Sequence, residues 1–162
     1  RITLLNTAAF PSKDVPLRIL LCRLPLLGSL LVRGFNGFAW PATKMAVTRA
    51  LPKAVKDGFL FPYDNWGNRV AVWRFVRDIP YEHNHRSLPV LIETENALSR
   101  FSQTPAIACW GMKDFCFHGG FLEQWEKRWP HMKAHRIEKA GHYLLEDSLE
   151  ACRSVIEPFL LE

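Results

Sequence analysis

Pro105-Ala-Ile-Ala-Cys-Trp110 running into Gly111-Met-Lys-Asp114, and Met132-Lys-Ala-His-Arg-Ile-Glu138 running into Lys139-Ala-Gly-His142, are the two stretches that decide the fold. Each is short, suits a pleated strand, and ends in a glycine turn carrying one titratable side chain. Between them Phe121, Leu122, Trp125 and Trp129 fall at i, i+1, i+4 and i+8, the spacing of one helix face, and Pro130 stops the run. Strand, helix, strand, helix with short links calls for parallel strands joined by right-handed crossovers. The fold class is therefore α/β.

Working outward, Leu145, Leu149, Cys152, Ile156 and Phe159 mark one apolar face of a last helix. Glu146 and Asp147 lie in its first turn, where negative charge complements the helix dipole. On the other side Ser87 reads as an N-cap with Pro89 in the first turn, and Leu88, Leu91, Ile92, Leu98 and Phe101 recur near helical spacing. The first ten residues read as a strand ending in Asn6-Thr-Ala-Ala-Phe10, after which Pro11 and Ser12 break the pattern. That strand has no preceding turn or cap, so the chain is expected to begin inside a domain. From about Asp14 to Arg86, prolines and glycines interrupt apolar residues at helical spacing, which predicts several short helices and no strand, a mainly helical insertion.

The composition is that of one soluble globular domain. The chain has 162 residues, 18.7 kDa, 48% apolar positions and a mean hydropathy of −0.08, which excludes disordered and fibrous classes. Its net charge of +5 is scattered along the chain, so no nucleic-acid partner is expected. Arg18, Arg23, Arg33, Pro25 and Gly28 interrupt the most apolar stretch, Leu17 to Trp40, which rules it out as a spanning helix. The leucines from Leu20 to Leu31 are read as packing among themselves in preference to resting on a membrane or partner. Cys22, Cys109, Cys116 and Cys152 form no C-x-x-C pair and read as reduced thiols, which points to a cytoplasmic setting.

Asp114 and His142 carry the chemistry. In open parallel sheets the loops at the carboxyl ends of the strands converge on one crevice, and both residues occupy such loops, one helix and one strand apart. Taken singly, an Asp after a strand is a turn former and a Gly-His is a loop. Taken together they are the acid and base of a catalytic triad: the carboxylate accepts the Nδ1 proton, fixes the tautomer and stabilises the imidazolium. Nothing in the chain completes the triad, because none of the seven serines, nor any cysteine, sits in a G-x-S-x-G elbow. Cys116 reads as a packing thiol. Cys116-x-His118 and the pair His131, His135 share no metal-binding geometry, so neither a metal nor another cofactor is expected.

Leu4-Leu-Asn6-Thr-Ala-Ala-Phe10, Phe61-Pro-Tyr-Asp-Asn-Trp-Gly-Asn-Arg69 running into Phe75-Val-Arg-Asp-Ile-Pro80, Trp110-Gly-Met-Lys-Asp114 and Ala140-Gly-His-Tyr-Leu-Leu-Glu-Asp147 together resemble the C-terminal half of an α/β-hydrolase of the haloalkane dehalogenase-like group. Within that group they resemble the branch that includes the β-lactone decarboxylases of bacterial olefin synthesis. The resemblance covers essentially the whole chain. It implies a sheet strand at residues 1–10, a helical cap at 11–86, and the last two strands with their helices at 87–162. It further implies that His142 activates water against a covalent intermediate with Asp114 as its acid partner, and that the nucleophile and the oxyanion or halide site precede Arg1. Some members carry the acid just after the strand at residues 1–10; Asn6 and Thr7 stand there in this chain, which favours Asp114. The cap would wall an acyl or alkyl pocket with Phe35, Phe38, Trp40 and Trp66, assisted by Phe59 and Phe61.

The expected partners are a small hydrophobic substrate and either an N-terminal half or a second copy of the chain. The rival expectation is a truncated fragment that binds ligand or partner without turnover.

Overall fold

Ala106–Gly111, the most apolar short run of the second half, is buried along its entire length and forms the middle of a three-stranded sheet. The computed structural model describes residues 1–161. In chain order its elements are strand β1 (Ile2–Leu5), helices α1 (Leu17–Arg23), α2 (Leu27–Ser29), α3 (Ala39–Met45), α4 (Lys53–Leu60), α5 (Val70–Arg77) and α6 (Leu88–Ala97), strand β2 (Ala106–Gly111), helix α7 (Gly119–Arg128), strand β3 (Lys133–Ile137) and helix α8 (Leu144–Leu161). One π-helical turn, Leu30–Gly34, continues α2. The chain divides into two compact units, one made of Arg1–Pro11, Ala46–Arg49 and Val90 onward, the other of Ser12–Met45 and Ala50–Pro89.

The first unit holds the sheet, with strand order β1-β2-β3 and both pairings parallel. Because side chains alternate along a strand, β2 feeds two cores at once. Ala106, Ala108 and Trp110 pack with Phe10, Phe121, Leu122, Trp125, Trp129 and Met132, which buries the apolar face of α7. Cys109 points the other way and packs with Ala140, Leu144 and Cys152, below α8. Every indole N–H in the larger core has an acceptor, as buried tryptophans require. Trp110 donates to the Phe117 carbonyl at 2.7 Å, Trp125 to Thr7 at 2.8 Å and Trp129 to Leu98 at 3.0 Å. Trp125 thereby ties α7 to the turn that follows β1. At the end of α7, Trp129 leaves helical geometry (φ −127°, ψ 74°) one residue before Pro130, as the residue preceding a proline tends to do.

Three readings of the sequence are corrected here. β1 ends at Leu5, so its strand pairing spans four residues rather than ten. The hydroxyl of Ser87 donates to the Asp78 carboxylate at 2.7 Å instead of capping α6. The buried stripe of α8 is Leu144, Asp147 and Cys152, continued by the partly buried Val155 and Ile156, while Leu145 and Leu149 face outward. Ser148 explains the difference: its φ −152° and ψ 49° are not helical, so the two segments of α8 run in different phase and a single 3.6-residue period cannot describe both.

In the second unit the short helices anticipated from the sequence are present. Helices α1 and α4 each start directly after a proline, Pro16 and Pro52, both at φ −53°, a value already suited to helix entry. Cys22, Val32 and Val76 form the core with Ile19, Phe38, Val72 and Trp73 against them. The Tyr63-to-Arg69 motif is a polar knot. Asp64 Oδ1 accepts from the amides of Asn65 and Asn68, both at 2.8 Å, and the Arg69 guanidinium donates to the carbonyls of Tyr63 (2.7 Å), Arg33 (2.8 Å) and Asp64 (2.8 Å). One planar fork thus binds together two loops about 30 residues apart in the chain. Among the described residues no helix is long and apolar enough to cross a membrane.

Burial, aided by the neighbouring Cys152, pushes the Cys109 thiol up to about 11 from its usual 9.0. The folded chain therefore keeps this thiol neutral where the unfolded chain ionises it, so its stabilising contribution is complete below pH 9 and is lost as pH rises through 11. Urea melts are expected to show stability declining over that window, with a shallower decline in Cys109→Ala; an unchanged slope in the variant would contradict this.

Candidate active site

Three turns meet at the carboxyl ends of the strands, and one side chain ties them together. Asn6, directly after β1, is buried and adopts φ 37°, a left-handed conformation that asparagine tolerates better than most residues. Its Oδ1 accepts the Gly111 N–H at 2.8 Å, at the end of β2, and its Nδ2 donates to the Gly141 carbonyl at 2.9 Å, beyond β3. The two glycines leave room for this meeting. A Cβ on Gly111 would stand 2.4 Å from the Gly141 carbonyl oxygen and 2.7 Å from that of Ala140. A Cβ on Gly141 would stand 2.9 Å from the Ala46 carbonyl oxygen. The Gly-x-x-Asp and Gly-His spacings are therefore two turns packed backbone against backbone, joined further by Met112 N–H to the Ile137 carbonyl (3.1 Å) and Lys113 N–H to the Ala140 carbonyl (2.9 Å).

This packing brings His142 to Asp114, with Nδ1 and Oδ2 2.8 Å apart. The Asp114 side chain is wholly buried, and that of His142 is 29% exposed. The carboxylate is also held from behind: Oδ1 accepts the backbone N–H groups of Cys116 at 2.6 Å and Phe117 at 3.0 Å. An ionised carboxylate only accepts, so the short contact places the imidazole proton on Nδ1 and leaves the Nε2 lone pair for a substrate or water. The rings of Phe117, Tyr143 and Phe115 stand 5.8, 6.0 and 6.3 Å from the imidazole, giving it an aromatic surround.

A second buried carboxylate braces the same turn, and the sequence reading did not find it. Asp147 accepts the backbone N–H of Gly141 at 2.7 Å, of Thr48 at 2.9 Å and of Arg49 at 3.3 Å. From sequence it passes for an ordinary first-turn acid, because two of its three donors lie about 98 positions away. Cys116 was also underread. It is only partly buried, and its Sγ lies with the ligating atoms of Asp114 and His142, all within 4.8 Å of one another. His118 and His131 are engaged by backbone: His118 Nδ1 accepts the Gly120 N–H at the start of α7, and His131 Nε2 lies 3.0 Å from the Thr104 carbonyl.

The four aromatic residues expected to meet substrate all belong to the helical unit and sit in separate local settings. Phe35 is largely exposed, and Phe38 packs against the Cys22–Val32–Val76 core. The Trp40 ring carries the Lys44 ammonium at 4.6 Å, and the Trp66 ring the Arg33 guanidinium at 4.2 Å. Those indole faces already have cationic partners.

No family model matches the chain. A cis-3-alkyl-4-alkyloxetan-2-one decarboxylase of Shewanella oneidensis is 36% identical across all of this chain and 52% of its own length. A protein of the same name from Xanthomonas campestris is 36% identical across 99% of this chain and 54% of its own. The chain thus spans about half the length of the curated relatives it matches. Among solved structures, the haloalkane dehalogenase DatA of Agrobacterium tumefaciens superposes with a TM-score of 0.81 at 17% identity, over 98% of this chain and 57% of that one. The haloalkane dehalogenase DbeA of Bradyrhizobium elkani gives 0.79 at 19% identity, over 98% and 56%. At such identities the likeness establishes the fold: the last strands and helices of an α/β-hydrolase, with a helical segment between them. The relatives by sequence are decarboxylases, so the expectation of a hydrolase holds only at the coarser level of an enzyme family on this fold.

Removing the Asn6 amide leaves the buried Gly111 N–H and Gly141 carbonyl without partners, so Asn6→Ala is expected to cost about 2–4 kcal/mol in urea denaturation. Asn68→Ala, at the exposed knot, is expected to cost under about 1 kcal/mol. Equal effects would contradict the role given to Asn6.

Proposed function

We propose that the chain is part of an α/β-hydrolase of the haloalkane dehalogenase-like group, and that it supplies the acid–base half of an active site whose nucleophile lies outside these 162 residues. The observation that supports this reading most is the 2.8 Å contact between His142 Nδ1 and a wholly buried Asp114 carboxylate, which leaves Nε2 available. In the proposed reaction a nucleophilic side chain from the remainder of the fold bonds to the substrate as a ring C–O bond breaks, and water later displaces that side chain from the covalent intermediate. His142 Nε2 then takes a proton from the attacking water, and Asp114 stabilises the imidazolium while holding the ring in place.

The substrate class is taken from the sequence relatives: an oxetan-2-one with alkyl groups on carbons 3 and 4. Such a molecule is apolar apart from one ester group, and the aromatic rings of Phe115, Phe117 and Tyr143 around His142 are proposed to receive it. A chain without a nucleophile in an elbow sequence has no means of forming the intermediate, so alone it is expected to bind without turnover.

In the enzyme assembled with the rest of its fold, His142→Ala is expected to lower turnover at least about 10³-fold and to leave a substrate-derived adduct visible by intact-mass spectrometry. Wild-type turnover in that variant would overturn the assignment. Turnover of a haloalkane, with a cis-dialkyl oxetan-2-one left untouched, would overturn the substrate class.

A further inference from the structure

The group around His142 offers a sulfur, a nitrogen and an oxygen donor, a set that the acid–base reading does not use in full. Cys116 follows Asp114 by two residues, and its backbone N–H is bonded to the Asp114 carboxylate. The turn that fixes the acid therefore also sets the thiol. One ligating atom from each of Asp114, Cys116 and His142 lies within 4.8 Å of the others. A tetrahedral zinc ion, with bonds of about 2.0–2.3 Å to N, O and S, holds its donors roughly 3.3–3.7 Å apart. Reaching that spacing requires the His142–Asp114 pair to open by under about 1 Å and the thiol to close by at most about 1.5 Å, shifts within the range of side-chain rotation.

We propose that Asp114, Cys116 and His142 form a binding site for a soft divalent cation of the zinc type, and that the bound ion displaces the proton shared by His142 and Asp114. The donor set decides the metal class. Thiolate and imidazole favour zinc and its neighbours, whereas magnesium and calcium require oxygen cages. Three protein ligands leave a fourth position for water, and the part-exposed His142 and Cys116 give the ion a way in. The balance is simple: Asp114 binds as carboxylate, His142 binds through Nδ1 with its proton moved to Nε2, and Cys116 binds as thiolate after releasing one proton to solvent. No oxidation is involved. Because Nε2 then carries a proton, it no longer accepts one, so zinc switches the acid–base pair off. That last consequence rests on the proposed function; the binding itself does not.

The test uses the purified 162-residue chain with zinc sulfate, and cobalt(II) as a spectroscopic substitute. One ion per chain is expected, with a cobalt–thiolate charge-transfer absorption. Affinity is expected to fall at least about 30-fold in Cys116→Ala, whose folding is checked by circular dichroism. Independently of any variant, zinc should protect Cys116 of the wild-type chain from iodoacetamide, since Cys22, Cys109 and Cys152 are buried, and a chelator should restore its alkylation. Absence of stoichiometric binding, equal affinity in Cys116→Ala, or no protection would overturn the site. If zinc binds through Cys116 yet leaves turnover of the assembled enzyme unchanged, the switch is overturned while the site stands. If zinc does not bind while His142→Ala blocks turnover, the site falls and the proposed function survives.

Discussion

One side-chain amide holds the working end of the sheet together. Asn6 reaches from the first strand to the backbone of the turns after the second and third, giving each the hydrogen bond it lacks, and its left-handed backbone is what aims it there. Nothing larger than glycine fits at 111 or 141, so the turns approach until their main chains touch. The distance between Asp114 and His142 follows from that closeness. A looser junction would leave a long, water-bridged contact in place of a direct one, and an imidazole free to turn.

Two carboxylates serve this junction in different ways. Asp114 takes two backbone donors from its own turn and offers its remaining oxygen to the imidazole. Asp147 spends its acceptors on main-chain N–H groups, fixing the His142 turn to residues 48 and 49. Both are buried acids beside a histidine-bearing loop, and their hydrogen-bond partners distinguish them: an imidazole for Asp114, main-chain N–H groups alone for the Asp147 carboxylate. Cys116 adds a third kind of group, a sulfur within 4.8 Å of donor atoms of Asp114 and His142.

The α/β class, the parallel order and the meeting of Asp114 with His142 were legible in the sequence because they rest on local signals: apolar runs of strand length, a helix face of i, i+4 and i+8 spacing, and glycine turns after each strand. What was not legible depends on distant partners. Asp147 resembles any first-turn acid until Thr48 and Arg49 arrive from elsewhere in the chain. The outward turn of Leu145 and Leu149 follows from one non-helical residue, Ser148, which no hydrophobic period announces. The Tyr63-to-Arg69 motif carries part of the family resemblance, and its Asp64, Asn65, Asn68 and Arg69 side chains are spent on loop carbonyls and on one another. A motif of narrow distribution can thus be structural, while the paired Asp114 and His142 lie in the commoner one.

The 2.8 Å contact has its chemical meaning only if Asp114 dictates which nitrogen of His142 carries the proton. Nitrogen-15 NMR of the neutral imidazole measures this directly. The Nδ1-protonated tautomer is expected in the wild-type chain, and its loss in Asp114→Asn, whose amide presents a donor to the ring. An Nε2-protonated ring, or a tautomer balance that Asp114→Asn leaves unchanged, would contradict that expectation.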